Sequence, residues 1–264
     1  MKKYWVFVKA EWQKMFEYRG DMILWSLSGA ITPLIGLAIW LAVSSSGAKL
    51  AFSESDLIVY FIAVIWVNMI TSAWGAYFIQ ESIMRGEFSI HLIKPFTLIE
   101  SYIANNLSEK IYKIFFTFLL TVILILFFHP FIYGFPVTFF SALLFLISLT
   151  MAFVIAFMFD LIIGISSFWL HDNDFLRGSY SLLDSFFSGQ FIPLAFLPVL
   201  VLGAAHILPF RYMLSFPVEV LLNKVSGLEL LFGFTMQFLW LMLTVLVYRL
   251  MYKQGIKIYQ GYGG

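Results

Sequence analysis

Long runs of apolar residues alternate with short polar segments along most of the chain. A helix needs roughly 20 mostly apolar residues to cross a hydrocarbon core about 30 Å thick, because it rises about 1.5 Å per residue. Six stretches meet this requirement, at residues 22–43, 57–79, 111–128, 137–163, 182–202 and 228–251. The pattern therefore predicts an all-α, polytopic membrane protein with six transmembrane helices.

The composition supports a membrane protein and excludes several other classes. Of the 264 residues, 61% are hydrophobic, 20% aromatic and 12% charged, whereas about a quarter of a soluble domain is charged. The 31 Phe, 13 Tyr and 8 Trp exceed what one globular core buries, so lipid must cover part of them. A net charge of +1 predicts no nucleic-acid partner, and the absence of Cys excludes disulfides and thiolate sites.

The distribution of basic residues predicts the orientation of the chain. If the N-terminus is cytoplasmic, 13 basic residues flank the spans on the inner side and only Lys49, Arg211 and Lys224 lie outside. This bias follows the positive-inside rule, and six spans place both termini in the cytoplasm. A cleaved signal peptide is the rival interpretation of the start, but charged residues interrupt positions 9–19, where its apolar core should lie.

Before the first span, apolar residues recur at steps of three and four over residues 4–16, with lysines for the polar side. This spacing predicts an interfacial amphipathic helix in contact with membrane lipids, and an ordinary juxtamembrane helix is the alternative. No repeat or low-complexity linker divides the chain. We therefore expect a single domain over 1–264, comprising the interfacial helix (1–19), the six-span bundle (22–251) and a cytoplasmic tail (252–264).

Motifs that carry catalysis are missing from the sequence. It contains no phosphate-binding loop, no zinc-hydrolase motif, no nucleophile elbow and no dinucleotide-binding glycine pattern. We therefore expect a protein that is not an enzyme and that binds no cofactor or metal. The polar cluster at 171–174 is predicted to be a solvated turn that caps a helix, and a metal site on it is the alternative. If the cluster did bind a metal, the chain could be an intramembrane enzyme acting on lipid, which is one alternative function.

Two carboxylates fall inside or near apolar stretches, Asp160 and Asp184. A charged group in hydrocarbon is costly and usually faces a bundle interior or a water-filled cavity. Both residues are therefore candidates for a translocation path, and the alternative is that each lies near the inner end of its span and reaches the cytoplasmic headgroups. An alternative function, a proton-coupled secondary transporter, would use them as its relay.

Two connecting segments combine polar and apolar residues in unusual ways. The cytoplasmic stretch 80–110 carries several charges around large apolar side chains, which predicts a docking surface for a cytoplasmic partner rather than a solvated connector. On the outer side, residues 194–224 contain Pro198, Pro209 and Pro217 among apolar residues. Because Pro breaks helices, we expect short re-entrant helices between spans five and six, with a surface-lying loop as the alternative.

Several short motifs, in a fixed order along six spans, carry a resemblance to a known family. Besides the amphipathic start, they are GEF at 86–88, LIKPF at 92–96, SGQFIPL at 188–194, FLP at 196–198, LPF at 208–210 and GIKIYQGYGG at 255–264. Together they resemble the membrane subunits of type 2 ATP-binding-cassette (ABC) exporters, in the branch similar to daunorubicin-type permeases. One departure is Lys94, where the family pattern has Arg before Pro95, so that the charge stays but the bidentate fork is lost.

The resemblance implies a permease subunit that exports a hydrophobic or amphipathic substrate such as a lipid-like compound, drug or peptide. It implies two partners in the cell membrane of a prokaryote: cytoplasmic ATPase subunits, which bind ATP and Mg, and a second permease, identical or homologous. The ATPase-coupling interface would comprise Glu81, Arg85, Glu87, Phe88, Lys94 and Pro95. The translocation path would run between spans one, two and five, and its candidate residues are Asp160, Asp184, Gln190, Pro193 and Pro198.

Overall fold

The computed structural model describes Lys9, Gln13 and residues 19–93, 97–132, 138–170 and 172–260. These residues form helices joined by turns, without any β-strand. In chain order the α-helices are α1 (Arg19–Ser45), α2 (Glu54–Thr71), α3 (Gly75–Met84), α4 (Ser89–Ile93), α5 (Leu98–Ile132), α6 (Phe139–Ile165), α7 (Asp174–Phe187), α8 (Val199–Ala205), α9 (Pro209–Met213), α10 (Ser215–Leu221) and α11 (Gly227–Ile258). Apart from Lys9, Gln13 and Arg19, the predicted interfacial helix lies outside the described residues.

Five segments in the described chain are long and apolar enough to cross a membrane. They are Leu24–Ser45, Glu54–Met84, Leu98–Phe131, Phe139–Phe168 and Gly227–Ile258. Many of their apolar side chains are exposed, and Phe127 of α5 is 79% accessible. Since water disfavours such a surface, the helices belong in a bilayer. The prediction of an all-helical, multi-pass membrane protein is confirmed.

The fifth predicted span, at 182–202, is not one continuous helix. The chain leaves α7 at Phe187, turns at Gly189 with φ of +86°, forms a 3₁₀ turn at Leu194–Phe196 and enters α8 at Val199. Pro193 and Pro198 stand directly before these two short helices, and a proline lacks the N–H that helical continuation needs. The hydropathy pattern identified the apolar stretch, but it did not predict where the helix is interrupted.

Two other predicted boundaries also differ from the structure. Helix α5 begins at Leu98, so much of the predicted cytoplasmic connector already belongs to the third span. Lys110 and Lys113, which the sequence placed on the cytoplasmic side, therefore lie within α5 with buried side chains. The second span consists of two helices, α2 and α3, separated at residues 72–74.

Helix α6 is the central element of the bundle and packs against α3, α10 and α11. A capping box between Thr138 and Ser141 fixes its first turn. Near its other end, a Cβ at Gly164 would lie 2.8 Å from Ile79 Cδ1, so the glycine allows α3 to approach closely. We call the end of the bundle that holds Gly86, Phe168 and Tyr259 the tail end. The opposite end, with Asp56, Arg211 and Lys224, is the hairpin end.

Candidate functional site

The segment at 81–93 turns the chain at the tail end and exposes its charges. Helix α3 ends at Met84, and Gly86 then adopts a φ of +74°, which a residue with a Cβ adopts only under strain. Arg85 donates to the Glu81 carboxylate at 2.7 Å on the exposed side. Phe88 points inward with no accessible surface, and its N–H donates to Ser82 O at 2.9 Å. The segment is therefore anchored by Phe88 and exposes its charged side chains.

Four of the six predicted coupling residues meet here: Glu81, Arg85, Glu87 and Phe88. Lys94 and Pro95 lie outside the described residues. The Phe88 ring contacts Phe168 and Tyr259, with ring centroids 5.1 Å and 5.4 Å apart. Tyr259 belongs to the motif at 255–264, but sequence analysis assigned it no role in the coupling interface, because it is far from residues 81–95 in the sequence.

The break in the second span is stabilised by side chains from α5. At residues 72–74 the helical hydrogen bonds stop, and the end of α2 presents carbonyl groups without helical donors. The Lys110 ammonium donates to Met69 O at 3.1 Å and to Ser72 O at 2.8 Å, and Asn106 Nδ2 also donates to Ser72 O. A cation at the carboxyl end of a helix also interacts favourably with the negative end of the helix dipole.

Asp160 of α6 stabilises the other side of the same break. Its Oδ2 accepts a hydrogen bond from Ala76 N at 3.1 Å, in the first turn of α3. A Cβ at Gly75 would lie 2.9 Å from that oxygen, so only glycine fits beside the carboxylate. The helix dipole favours a negative group at this position. Asp160 therefore lies inside the bundle, where its carboxylate caps a helix.

Asp184 lies on the half-buried side of α7, and its carboxylate accepts no hydrogen bond from the described residues. The ring of Tyr180, one turn earlier, packs against Phe159 and Phe210 with centroids 5.7 Å away. Within the described chain, no hydrogen bond or ion pair joins Asp184 to Asp160. The structure therefore does not link the two carboxylates directly.

The turn at 188–193 inserts between the first and second spans. Tyr60 of α2 donates its hydroxyl to Gly189 O at 2.8 Å, and Trp40 of α1 donates Nε1–H to Phe191 O at 3.2 Å. A Cβ at Gly36 would lie 2.9 Å from Phe191 O, which shows how close the turn comes to α1. Irregular backbone at membrane depth needs such partners.

Three of the predicted path residues lie in or beside this turn. Gln190 is half-buried, and its N–H lies 3.3 Å from Ser188 Oγ. Pro193 and Pro198 begin the 3₁₀ turn and α8. The structure thus brings Gln190, Pro193 and Pro198 together, on an element separate from Asp160.

A buried ionic cluster fixes the short helices at the hairpin end. Arg211 of α9 is 2% exposed and donates through Nη2 to Glu219 Oε2 at 2.6 Å, and through Nε to the same oxygen at 3.2 Å. The same Nη2 also donates to Glu229 Oε1 at 3.3 Å, and Nη1 lies 3.1 Å from His206 Nδ1. The cluster links α8, α9, α10 and α11, and the sequence had given no partner for Arg211.

The charges in this cluster shift its pKa values in opposite directions. Burial alone would lower the pKa of Arg211, but the charge and hydrogen bond of Glu219 outweigh burial and raise it. Burial lowers the pKa of His206, and the positive charge of Arg211 lowers it further. His206 can therefore accept the Arg211 hydrogen bond through a neutral ring.

The polar turn before α7 follows the capping prediction in part. Asp172 Oδ1 accepts from Asp174 N at 2.8 Å and from Gln80 Nε2 at 3.3 Å, while Asn173 is buried and donates to Ile163 O. His171 lies outside the described residues. Among the residues that are described, no three His, Asp or Glu side chains are placed to share one metal ion.

Comparison with known proteins gives one clear result. A search of curated proteins finds no match. A family model described as ABC-2 family transporter protein matches residues 30–263, which include all five long helices apart from the start of α1. A match over this much of the sequence, together with the apolar helical bundle, shows that the chain belongs to the ABC-2 family of transporter membrane proteins.

Proposed function

We propose that this chain is one of two permease subunits of an ABC exporter and that its 81–93 segment receives the movement of a cytoplasmic ATPase. As an ABC-2 family member, the chain is a permease of an ABC transporter, and its family implies an ATP-binding cassette subunit as partner. The sequence contains no phosphate-binding loop. In the proposal, the partner therefore binds and hydrolyses ATP with Mg.

One observation carries the proposal: a connected series of contacts leads from the exposed segment to the turn inside the bundle. The 81–93 segment continues directly from α3, and α3 continues through the break at 72–74 into α2. Tyr60 of α2 then holds the Gly189 carbonyl in the 188–193 turn. A displacement at the tail end can therefore reach the turn through α3, the break at 72–74 and α2.

The break in the second span allows its two halves to move differently. Lys110 and Asn106 hold the end of α2, whereas Asp160 holds the start of α3. In the proposed cycle, ATP binding draws two ATPase subunits together and pushes the 81–93 segments. Helix α3 then tilts at the break, and α2 shifts the turn that closes the path between spans one and two.

The proposed path accepts a hydrophobic or amphipathic substrate, such as a lipid-like compound, drug or peptide. Helix α7 exposes several large apolar side chains, among them Phe175 at 88% and Phe186 at 65%, and α1 exposes Leu24 and Ile31. A second permease that covers these faces would enclose a path lined by apolar side chains, which select by size and apolarity rather than by hydrogen bonds.

The proposal places the tail end and both termini in the cytoplasm of a prokaryotic cell. Arg85, Arg177, Arg249, Lys253 and Lys257 belong to the tail end of their helices, and the positive-inside rule favours this orientation. The 81–93 segment then faces the compartment that contains ATP.

The direct test is co-expression of the chain with an ABC ATPase encoded in a neighbouring reading frame. We expect the two to co-purify, and we expect Glu87→Lys to lower their apparent affinity by roughly three- to tenfold, because an exposed rim charge tunes association. Lys49→Glu, a charge reversal of equal size in the loop after α1 at the hairpin end, is the control and should leave the affinity unchanged. Binding that is insensitive to Glu87→Lys would remove the 81–93 segment from the interface.

Substitutions at Asp160 separate the capping role from a proton relay. Asp160→Asn keeps an oxygen acceptor for Ala76 N–H, so stability and permease-dependent ATP hydrolysis should stay near those of the native chain. Asp160→Ala leaves that donor unsatisfied and should lower the free energy of unfolding by about 1–2 kcal/mol. Unfolding in detergent micelles and ATPase assays in nanodiscs measure both effects.

The proton-coupled alternative predicts a different pattern. A proton relay needs a titrating group, so Asp160→Asn and Asp184→Asn would each abolish transport. In this alternative, transport does not depend on ATP. Under the exporter proposal, Asp184→Asn should preserve permease-dependent ATP hydrolysis. Proton-driven uptake by the purified chain alone, lost in both Asn variants, would replace the exporter with a secondary transporter.

A further inference from the structure

We propose that Tyr259 is a positioning residue that latches the 81–93 segment to the last long helix. The inference rests on the proposed function, since it gives that segment a second connection to the bundle. Tyr259 immediately follows α11, and its N–H donates to Gly255 O at 3.1 Å, so the last helical turn fixes its backbone.

The Tyr259 hydroxyl joins both sides of the turn in the 81–93 segment. It donates to Gly86 O at 2.7 Å and accepts from Ser89 N at 3.3 Å. Gly86 has a left-handed backbone, and Ser89 is the first residue of α4. One hydroxyl therefore closes the loop between α3 and α4 from a position more than 170 residues later in the chain.

The ring of Tyr259 adds a second, apolar contact. It packs edge-on against Phe88 and Phe168, with centroids 5.4 Å and 5.9 Å away. Gly255 lets α11 approach this cluster, because a Cβ there would lie 2.1 Å from Phe168 Cδ2. The segment is thus attached to α3 by the backbone and to α11 by Tyr259.

This arrangement has a mechanical consequence. Without the latch, a push on the segment reaches the bundle through α3 and through the contact of Phe88 with Phe168. With the latch, the same push also moves α11, which packs against α6. Tyr259 would therefore make one ATPase movement act on two transmembrane helices together.

Tyr259→Phe tests the latch because it keeps the ring and removes only the hydroxyl. The native chain has no Cys. A nitroxide on Glu87→Cys therefore reports the mobility of the segment in the purified permease. We expect Tyr259→Phe to lower the ratio of docked to mobile segment about fivefold, which corresponds to about 1 kcal/mol at 1.4 kcal/mol per tenfold.

Tyr252→Phe is the matched control. Tyr252 lies in α11 and stacks on Tyr248 with centroids 5.6 Å apart, while its hydroxyl makes no hydrogen bond within the described residues. The control should leave the label spectrum unchanged. Melting temperatures of all three unlabelled chains should agree closely, which separates positioning of the segment from a general loss of stability.

The second readout uses the unlabelled chain with its ATPase partner. Tyr259→Phe should still co-purify with the ATPase, but the change in ATPase rate caused by the permease should fall severalfold. Native label mobility in Tyr259→Phe, or an unchanged ATPase response, would overturn the latch. Failure of the native chain to recruit any ATPase would instead remove the proposed function, and the label alone would then decide whether Tyr259 holds the segment.

Discussion

Arg211→Ala should lower the free energy of unfolding by about 3–5 kcal/mol, the usual cost of removing one partner from a buried ion pair. The substitution leaves the Glu219 carboxylate, which is 9% exposed, without the two hydrogen bonds that Arg211 donates. It also removes the Arg211 contact to His206 and to Glu229. Because the cluster joins four helices, we expect the hairpin end to loosen as a unit.

Two further variants sharpen this prediction. Lys224→Met breaks the partly exposed ion pair with Asp56 at the same end and should cost less than about 1 kcal/mol. The double variant Arg211→Met with Glu219→Met replaces both charges by apolar side chains and should be more stable than Arg211→Ala. Unfolding titrations in detergent micelles measure all three. If Arg211→Ala and Lys224→Met cost the same, the buried cluster does not hold the short helices.

The long helices were predictable because a transmembrane span is defined by local composition. Predicted spans 22–43 and 228–251 lie within α1 and α11, which extend beyond them by several residues. The additional turns of α11 carry Lys253 and Lys257, whose charges ended the apolar window but do not end a helix. Hydropathy therefore locates a helix well, but it places the ends too early wherever the helix leaves the hydrocarbon.

The breaks were not predictable because distant residues stabilise them. Residues 72–74 contain neither Gly nor Pro. Lys110 and Asp160, 38 and 84 residues away from their partners, supply the groups that satisfy the broken helix. Sequence analysis made Asp160 a candidate for the translocation path, but a single sequence carries no information on which backbone N–H it meets. Lys110 looked like a cytoplasmic charge for the same reason.

The structure of the 81–93 segment could be predicted only in part. Charged residues around large apolar ones at 80–110 predicted a docking surface, and in the structure Phe88 is buried while Glu87 is exposed. The contact between Phe88 and Tyr259, which follows α11, could not be inferred, because only the packed bundle brings these two distant parts of the chain together. A contact between residues so far apart in the sequence depends on how all the long helices pack.

Phe88→Ala should have the largest effect on coupling, because Phe88 is the only apolar anchor of the 81–93 segment that the described residues show fully buried. Truncation of a buried Phe typically costs about 3–5 kcal/mol. Here the loss falls on the segment, since Phe88 contacts Phe168, Tyr259 and His91 at the tail end. We expect the segment to undock while the long helices remain assembled.

Two measurements distinguish this local effect from global unfolding. Helical content by circular dichroism should stay native, while permease-dependent ATP hydrolysis by the partner should fall by at least tenfold. Phe127→Ala is the matched control, because the Phe127 side chain of α5 is 79% exposed and its removal leaves no internal cavity. The control should retain native coupling.

Since Phe88 and Tyr259 hold the same segment, Phe88→Ala should also make the further change Tyr259→Phe nearly silent, as expected of two contacts that stabilise one docked state. Additive losses in the double variant would mean that the two residues act on separate elements.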